Sequence, residues 1–210
     1  MPVIRNLYVE TADRAVDLIA SPATGARWEQ PSVLARMSIG DLAGHLARSI
    51  LQVEWYLDAP HSDTEPVDAA RYFIREGDPT DLDSAHNQGI RERSSEVARQ
   101  GYQQLVSSTR ATLDRLRDRL PTEPDGRLLE ALGWVLPLDE YLKTRLVETT
   151  VHFDDLRLST GVTDGPLPAQ AIEVAVDTLL EVARRRHGMA AVLTALARRE
   201  RDVVQALRVF

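Results

Sequence analysis

Residues 147–161 read VETTVHFDDLRLSTG, the second half of a run that begins after Pro137 and stops at Gly161. At about 100° per residue, Leu138, Leu142, Leu146, Thr149, Phe153 and Leu156 fall within roughly one quarter of a helical wheel and form a core-facing stripe. Proline at the start and glycine past the end are the residues that open and close helices. Glu148 and His152, about 40° apart on the same wheel, sit just beside the stripe, neither in the middle of the apolar seam nor fully toward solvent. A helix of this kind must bury its stripe against other helices, so the stretch points to a bundle.

Working outward, apolar residues recur with helical spacing nearly everywhere, and the fold class expected is all-α. A first helix spans about Ile4 to Ile19 and stops before SPATG; segment 22–37, with Trp28 and Pro31, reads as a connection. The second helix opens at MSIGDL, where Ser38 caps and Asp41 lies in the first turn, and carries the stripe Leu42, Leu46, Ile50, Val53 and Leu57. Residues 58–83 form a long acidic connection with a short helix around Ala69 to Arg75. A third helix is expected from about Ser84 to Leu120, bent or delayed at Gly89 or Gly101. The apolar stretch LLEALGWVL precedes the fourth helix, and two further helices cover about Ala169 to Arg186 and Ala190 to Arg199. The expected domain plan is a helical bundle over residues 1–165 with a short helical extension, 166–210, packed on it.

Composition narrows the function classes. A formal charge of −7 and a pI near 5.3 argue against binding to phosphate backbones, so nucleic acid is not an expected partner. No run reaches the roughly 18 to 20 apolar residues of a membrane span, and MPVIRNLYVETADRAV lacks the layout of a signal peptide; a cytoplasmic location is expected. Lys143 is the one lysine among 25 basic residues, a bias toward arginine that fits a GC-rich genome. Cysteine is absent, so any sulfur chemistry must use a thiol brought from outside.

The second helix repeats the marginal arrangement of the fourth. His45 lies at the edge of its stripe, with Ser49, Gln52 and Tyr56 along the same edge. In a bundle such groups converge between helices, and an i, i+4 pair plus one residue from a neighbouring helix makes a three-ligand metal site with an open position. A His, Glu, His set suits zinc better than nickel or iron. The bland reading is a chance pair and a border histidine bonded to a carbonyl, and spacing alone leaves both open.

The stretch WEQPSVLARMSIGDLAGHLAR, residues 28–48, resembles the opening of the mycothiol-dependent maleylpyruvate isomerase type of the DinB-like superfamily, in which a tryptophan and Pro-Ser precede a helix of pattern D-L-x-x-H-L. VETTVHFDDLRLSTG is similar to the second signature of that group, E-x-x-x-H-x-x-D-L followed by a small residue and glycine. The resemblance covers about residues 5 to 187. It implies an up-and-down four-helix bundle holding a divalent metal, usually zinc, on His45, Glu148 and His152, with mycothiol as thiol cofactor or co-substrate and an actinobacterial host. Asp155 matches the aspartate after the second histidine; of its two roles, orienting a ligand or capping local structure, the structural one is expected.

The activity implied is metal-assisted addition of a low-molecular-weight thiol to a small-molecule electrophile, either isomerisation or S-transfer. Relatives that isomerise carry a larger C-terminal domain than the residues after Gly161 provide, which favours thiol transfer. Arg91 and Arg93 are weak candidates for binding an anionic substrate, and Gln52, Tyr56 and Asn87 for lining the thiol site. His61, His86 and His187 read as solvated or as helix-end charge. A homodimer is possible. The alternative from a different class is a non-catalytic bundle that binds a metal or small ligand.

Overall fold

The computed structural model describes residues 3–74, 81, 83–163, 165–197 and 207. Its elements in chain order are α1 (Val3–Ile19), α2 (Pro22–Ala26), α3 (Ile39–Asp58), α4 (Ala69–Phe73), α5 (Ala85–Ala98), α6 (Tyr102–Arg119), β1 (Leu128–Ala131), β2 (Trp134–Pro137), α7 (Leu138–Thr160), α8 (Ala169–His187) and α9 (Met189–Ala197). Apart from the third, the expected helices are present near their expected bounds; the far ends of two of them, Arg75 and Arg199, lie outside the described residues. Among the described residues no helix is long and apolar enough to cross a membrane.

The stripes drive the assembly. Leu42, Leu46, Ile50, Val53 and Leu57 of α3 are all buried, as are Leu138, Leu142, Leu146, Thr149, Phe153 and Leu156 of α7. Each such leucine or isoleucine removed from water contributes roughly 1.5–3 kcal/mol before entropy is counted. The N-terminus of α3 is held by a complete capping box: Ser38 Oγ accepts from the Asp41 amide and Asp41 Oδ2 accepts from the Ser38 amide, both at 3.0 Å.

Cross-helix pairs give the directions. Arg5, near the start of α1, donates to the Leu120 carbonyl just past α6, while Asp17 near the end of α1 accepts from Arg110, so α1 and α6 are antiparallel. Glu54 accepts from Arg115 and Asp58 from Arg119, so α3 and α6 are parallel. Ser49 meets Thr149 and Gln52 meets Arg145, so α3 and α7 are antiparallel. The all-helical bundle is the expected one, but α1, α3, α6 and α7 run up, down, down, up rather than strictly alternating. The reason is α5, whose far end lies beside the first turns of α3 through the Ser95–Asp41 hydrogen bond, returning the chain to the end where α3 began. There Tyr102 opens α6 against Trp28, ring centroids 5.7 Å apart.

Two local expectations are corrected, the connection expected over 22–37, which opens with the short helix α2, and the third helix, while a stretch left unassigned takes strand form. The single helix foreseen from Ser84 to Leu120 is two, α5 and α6, separated at Gly101, whose φ of 85° no helix accommodates. The stretch LLEALGWVL is a hairpin: β1 and β2 pair antiparallel with Ala131 opposite Trp134. Its two-residue turn, Leu132 and Gly133, has positive φ at both positions, the mirror-image turn that suits the twist of paired strands. Leu129, Ala131, Val135 and Leu136 are buried, which explains the apolar run without a helix. Helix α8 packs on α7 and adds Ala171, Ala175, Val182 and Ala183 to the same core.

Candidate metal centre

The two marginal positions identified on α3 and α7 meet. The register is set by Ser49 Oγ against Thr149 Oγ1 at 2.9 Å and by Arg145 Nη1 donating to Gln52 Oε1 at 3.1 Å. One turn further along, His45 faces Glu148 and His152, and one ligand atom from each of the three residues lies within 4.8 Å of the other two. Nε2 of each histidine is 3.6 Å from Glu148 Oε2, and the ring centroids are 4.3 Å apart at 78°. The three side chains are 13, 26 and 20% exposed, so the cluster is sheltered yet reachable.

The remaining ring nitrogens decide what this cluster can hold. Ser94 Oγ donates its one proton to the Ile90 carbonyl at 2.7 Å, so at 3.1 Å it accepts from His45 Nδ1. His152 Nδ1 is 2.9 Å from Asp155 Oδ2, which accepts only. Both imidazoles in their neutral form therefore carry hydrogen on Nδ1 and present a bare Nε2 lone pair to the Glu148 carboxylate. Lone pair against carboxylate is repulsive unless a cation lies between them. A divalent metal fits this donor set, and outer partners on the second nitrogen are the usual way such rings are held.

Charge agrees with geometry. Burial lowers the His45 pKa, aided by His152, so this ring is neutral at pH 7. Burial works against the Glu148 carboxylate, but the adjoining His152 and His45 rings, and then the charge of Arg145, outweigh it and hold the group well below its ordinary range. Burial also works against protonated His152, yet Asp155 and Glu148 raise it to about 9. Without a metal, a proton on His152 occupies part of the space a cation would fill.

The packing that brings α5 to the cluster has a single-atom cause. A Cβ on Gly44 would lie 2.6 Å from the Ser94 carbonyl oxygen, so glycine is what allows α5 to approach α3 closely enough for Ser94 to reach His45. Ser94 went unnoticed in the sequence because serine in a polar helix carries no periodic signal. Asp155 is corrected from a capping residue to a partner of the His152 ring.

Among the other candidates, Gln52 is buried and accepts from Arg145, and half-buried Tyr56 lies edge-on to Tyr141 at 5.7 Å. Both extend away from the three ligands along the same α3 edge. Asn87 belongs to the start of α5, its side chain donating to the Asp81 carbonyl at 2.7 Å. Arg91 and Arg93 are both half-buried on α5, and Arg93 Nε is buried with no hydrogen-bond partner. His61 is exposed beside the Ser62 carbonyl, His86 is exposed at the start of α5, and His187 ends α8; none joins the cluster. Arg145 and Tyr141 were missed, although 141, 145, 148 and 152 recur at the spacing of one helical face.

No curated protein and no solved structure matches the chain. A family model does: residues 9–157 match the mycothiol maleylpyruvate isomerase N-terminal domain. The match spans α3, α5 and α7 and so contains His45, Ser94, Glu148, His152 and Asp155. The chain belongs to the mycothiol maleylpyruvate isomerase N-terminal domain family.

Proposed function

We propose that this protein is a metal-dependent enzyme that uses mycothiol as cofactor or co-substrate and joins it, permanently or transiently, to a small electrophile. The observation that carries the reading is the convergence of two imidazole Nε2 atoms on one carboxylate at 3.6 Å, with both rings held from behind by Ser94 and Asp155. His45, Glu148 and His152 are the residues that would hold the ion, and this donor set favours zinc. When bound, zinc supplies Lewis acidity that favours ionisation of a nearby thiol near neutral pH.

The chain's own residues supply the rest. One carboxylate among three ligands leaves a divalent site with net positive charge, and partial exposure of all three side chains leaves room for an outside ligand. Ser94 and Asp155 keep both rings in the tautomer that the site needs. With no cysteine in the sequence, no covalent link between protein and sulfur can form, and the nucleophile must come from a low-molecular-weight thiol. Both isomerisation and S-transfer begin with addition of that thiol to an electrophilic carbon. In this reading residues 1–165 carry the metal-binding unit and 166–210 an extension.

Metal analysis of the purified chain and its variants tests the proposal. His45→Ala, Glu148→Ala and His152→Ala are each expected to lose most bound zinc, while His61→Ala and His187→Ala keep it. Turnover of a reactive electrophile is expected to require both zinc and mycothiol. Equal zinc in all five variants, or turnover that survives omission of metal or thiol, overturns the reading.

A further inference from the structure

Five of the ten large apolar side chains left exposed among the described residues lie on the last two helices, where they fall in two stripes. Ile172 and Val176 stand one turn apart on α8, and half-buried Leu179 and Leu180 fall beside them, so that the four occupy roughly 100° of the helical wheel. The face that α8 buries in the bundle, through Ala171, Ala175, Thr178 and Val182, lies about a third of a turn away. One apolar face is what a helix needs to join a bundle, and α8 has two.

The same surplus appears on α9. Its sequence MAAVLTALA carries no charge; Val192 and Ala195 are buried, while Met189, Leu193 and Leu196 share a different arc of about 60° and are exposed. Gly188, with φ of 85°, is the one residue between α8 and α9, and the two helices pack on each other. Single exposed apolar side chains are ordinary on a soluble surface, but these five are 46–68% exposed and together offer about 500 Å² of apolar area, comparable to the largest patch usual on a monomer. A homodimer interface of standard size covers about 800 Å² per copy, about two thirds of it apolar. The exposed area therefore matches what one copy has to contribute.

The charges beside the α8 stripe select the occupant. Glu173 and Arg184 lie along the same flank of the stripe, about 20° apart on the wheel, the acid near the start of the helix and the base near its end. Glu173 has no hydrogen bond or ion pair among the described residues, and Arg184 pairs with Glu181 of its own helix while remaining 45% exposed. A twofold axis through the middle of α8 makes two copies of the helix antiparallel and sets each flank against the same flank of the other copy. Val176 of one copy then meets Leu180 of the other, and Glu173 meets Arg184. A parallel arrangement sets Glu173 against Glu173 and Arg184 against Arg184, which is repulsive at both ends. Asp177 lies about 40° farther round the wheel than Glu173 and points away from the stripe. The surface is thus complementary to itself in one orientation.

We propose that α8 and α9 form the interface of a twofold-symmetric homodimer in which α8 packs antiparallel on α8 of a second copy. Both helices lie beyond residue 157, where the family match ends, so the surface belongs to the part of the chain outside the matched domain. The inference does not rest on the metal and thiol reading. Apolar contact supplies the affinity, and the Glu173 and Arg184 pairs, exposed and individually weak, fix the direction.

Sedimentation velocity of the full chain over about 1 to 100 µM tests the interface, and a dimer is expected within that range. Ile172→Glu and Leu193→Glu are each expected to raise the dissociation constant at least about tenfold, because symmetry places two carboxylates in the closed interface. Both side chains are exposed in the single copy, so circular dichroism is expected to show the helices intact. Trp55→Glu, a comparably exposed position on α3, is expected to leave association unchanged. Glu173→Arg and Arg184→Glu are each expected to weaken the dimer by about threefold or more, and the double variant to return to within about twofold of the parent. Recovery distinguishes antiparallel packing, since only there do the two residues face each other. A chain that stays monomeric up to about 100 µM overturns the proposal and leaves the stripes to residues 198–210 of the same chain or to a different protein. A dimer that Ile172→Glu and Leu193→Glu do not weaken overturns it as well. Loss in both single charge variants without recovery in the double variant overturns the antiparallel arrangement.

Discussion

Replacing Asp155 tests whether the candidate centre is held from behind. Asp155 Oδ2 accepts from His152 Nδ1 at 2.9 Å, a charge-assisted hydrogen bond on a side chain only 21% exposed. Such a bond contributes about 1.5–3 kcal/mol, which corresponds to roughly ten- to a hundredfold in an equilibrium constant. Loss of a partner on the far nitrogen of a ligating histidine has the same typical effect on metal affinity. Asp155→Asn keeps an acceptor of the same shape and removes only the charge, so it is expected to lose less than Asp155→Ala. Asp154, exposed one residue earlier, is the control and its Asn variant is expected to bind zinc as the parent does. The assay is competition for zinc against a chelator of known affinity, with circular dichroism to establish that the helices persist. An Asp155→Ala affinity within twofold of the Asp154→Asn value would refute the argument that ring orientation is set by this contact.

Zinc uptake at pH 7 is expected to release about one proton, read by calorimetry in buffers of different ionisation heat, because His152 in the metal-free fold is protonated up to about pH 9 and must become neutral to ligate. The apparent affinity is therefore expected to fall as pH drops below about 9, by roughly tenfold per unit while that proton alone competes. For the metal-free fold the raised pKa stabilises fully below the unfolded value of 6.5, and that stabilisation is lost as pH rises through about 9, which urea titrations at pH 6 and pH 10 would detect. Gly44→Ala gains up to about 1 kcal/mol of helix propensity, but its methyl would lie 2.6 Å from the Ser94 carbonyl oxygen and force α5 away at about 1–3 kcal/mol. The expected net result is a lower melting temperature together with weaker zinc binding, whereas unchanged zinc affinity would separate Ser94 from the centre.

The helices and their inward faces were legible in the sequence because each follows from local periodicity. The stripes of α3 and α7, the Ser38–Asp41 capping box and the stop at Gly161 all sit where spacing and capping chemistry place them. The three ligand candidates were legible for the same reason, since a marginal position is a statement about one helix, and two motif matches joined them across a hundred residues. The hairpin at 128–137 was not legible: its turn is Leu132–Gly133 rather than an Asn-Gly or Asp-Gly pair, and its buried run has no period long enough to tell a strand from a helix.

What tertiary structure alone decided is everything that depends on which helix faces which. The parallel α3 and α6 follow from the return of the chain along α5, a matter of how a long connection is routed. Ser94 reaches the site through the close approach at Gly44, and Arg145 is buried because Gln52 and the rings of Tyr72 and Tyr141 enclose it. The sequence by itself determined the apolar faces and the candidate ligand residues, since both reside in the order of side chains along one helix. Register between helices and the Ser94 partner behind the His45 ring arise from contacts between residues far apart in the chain, and they exist only once the core has closed.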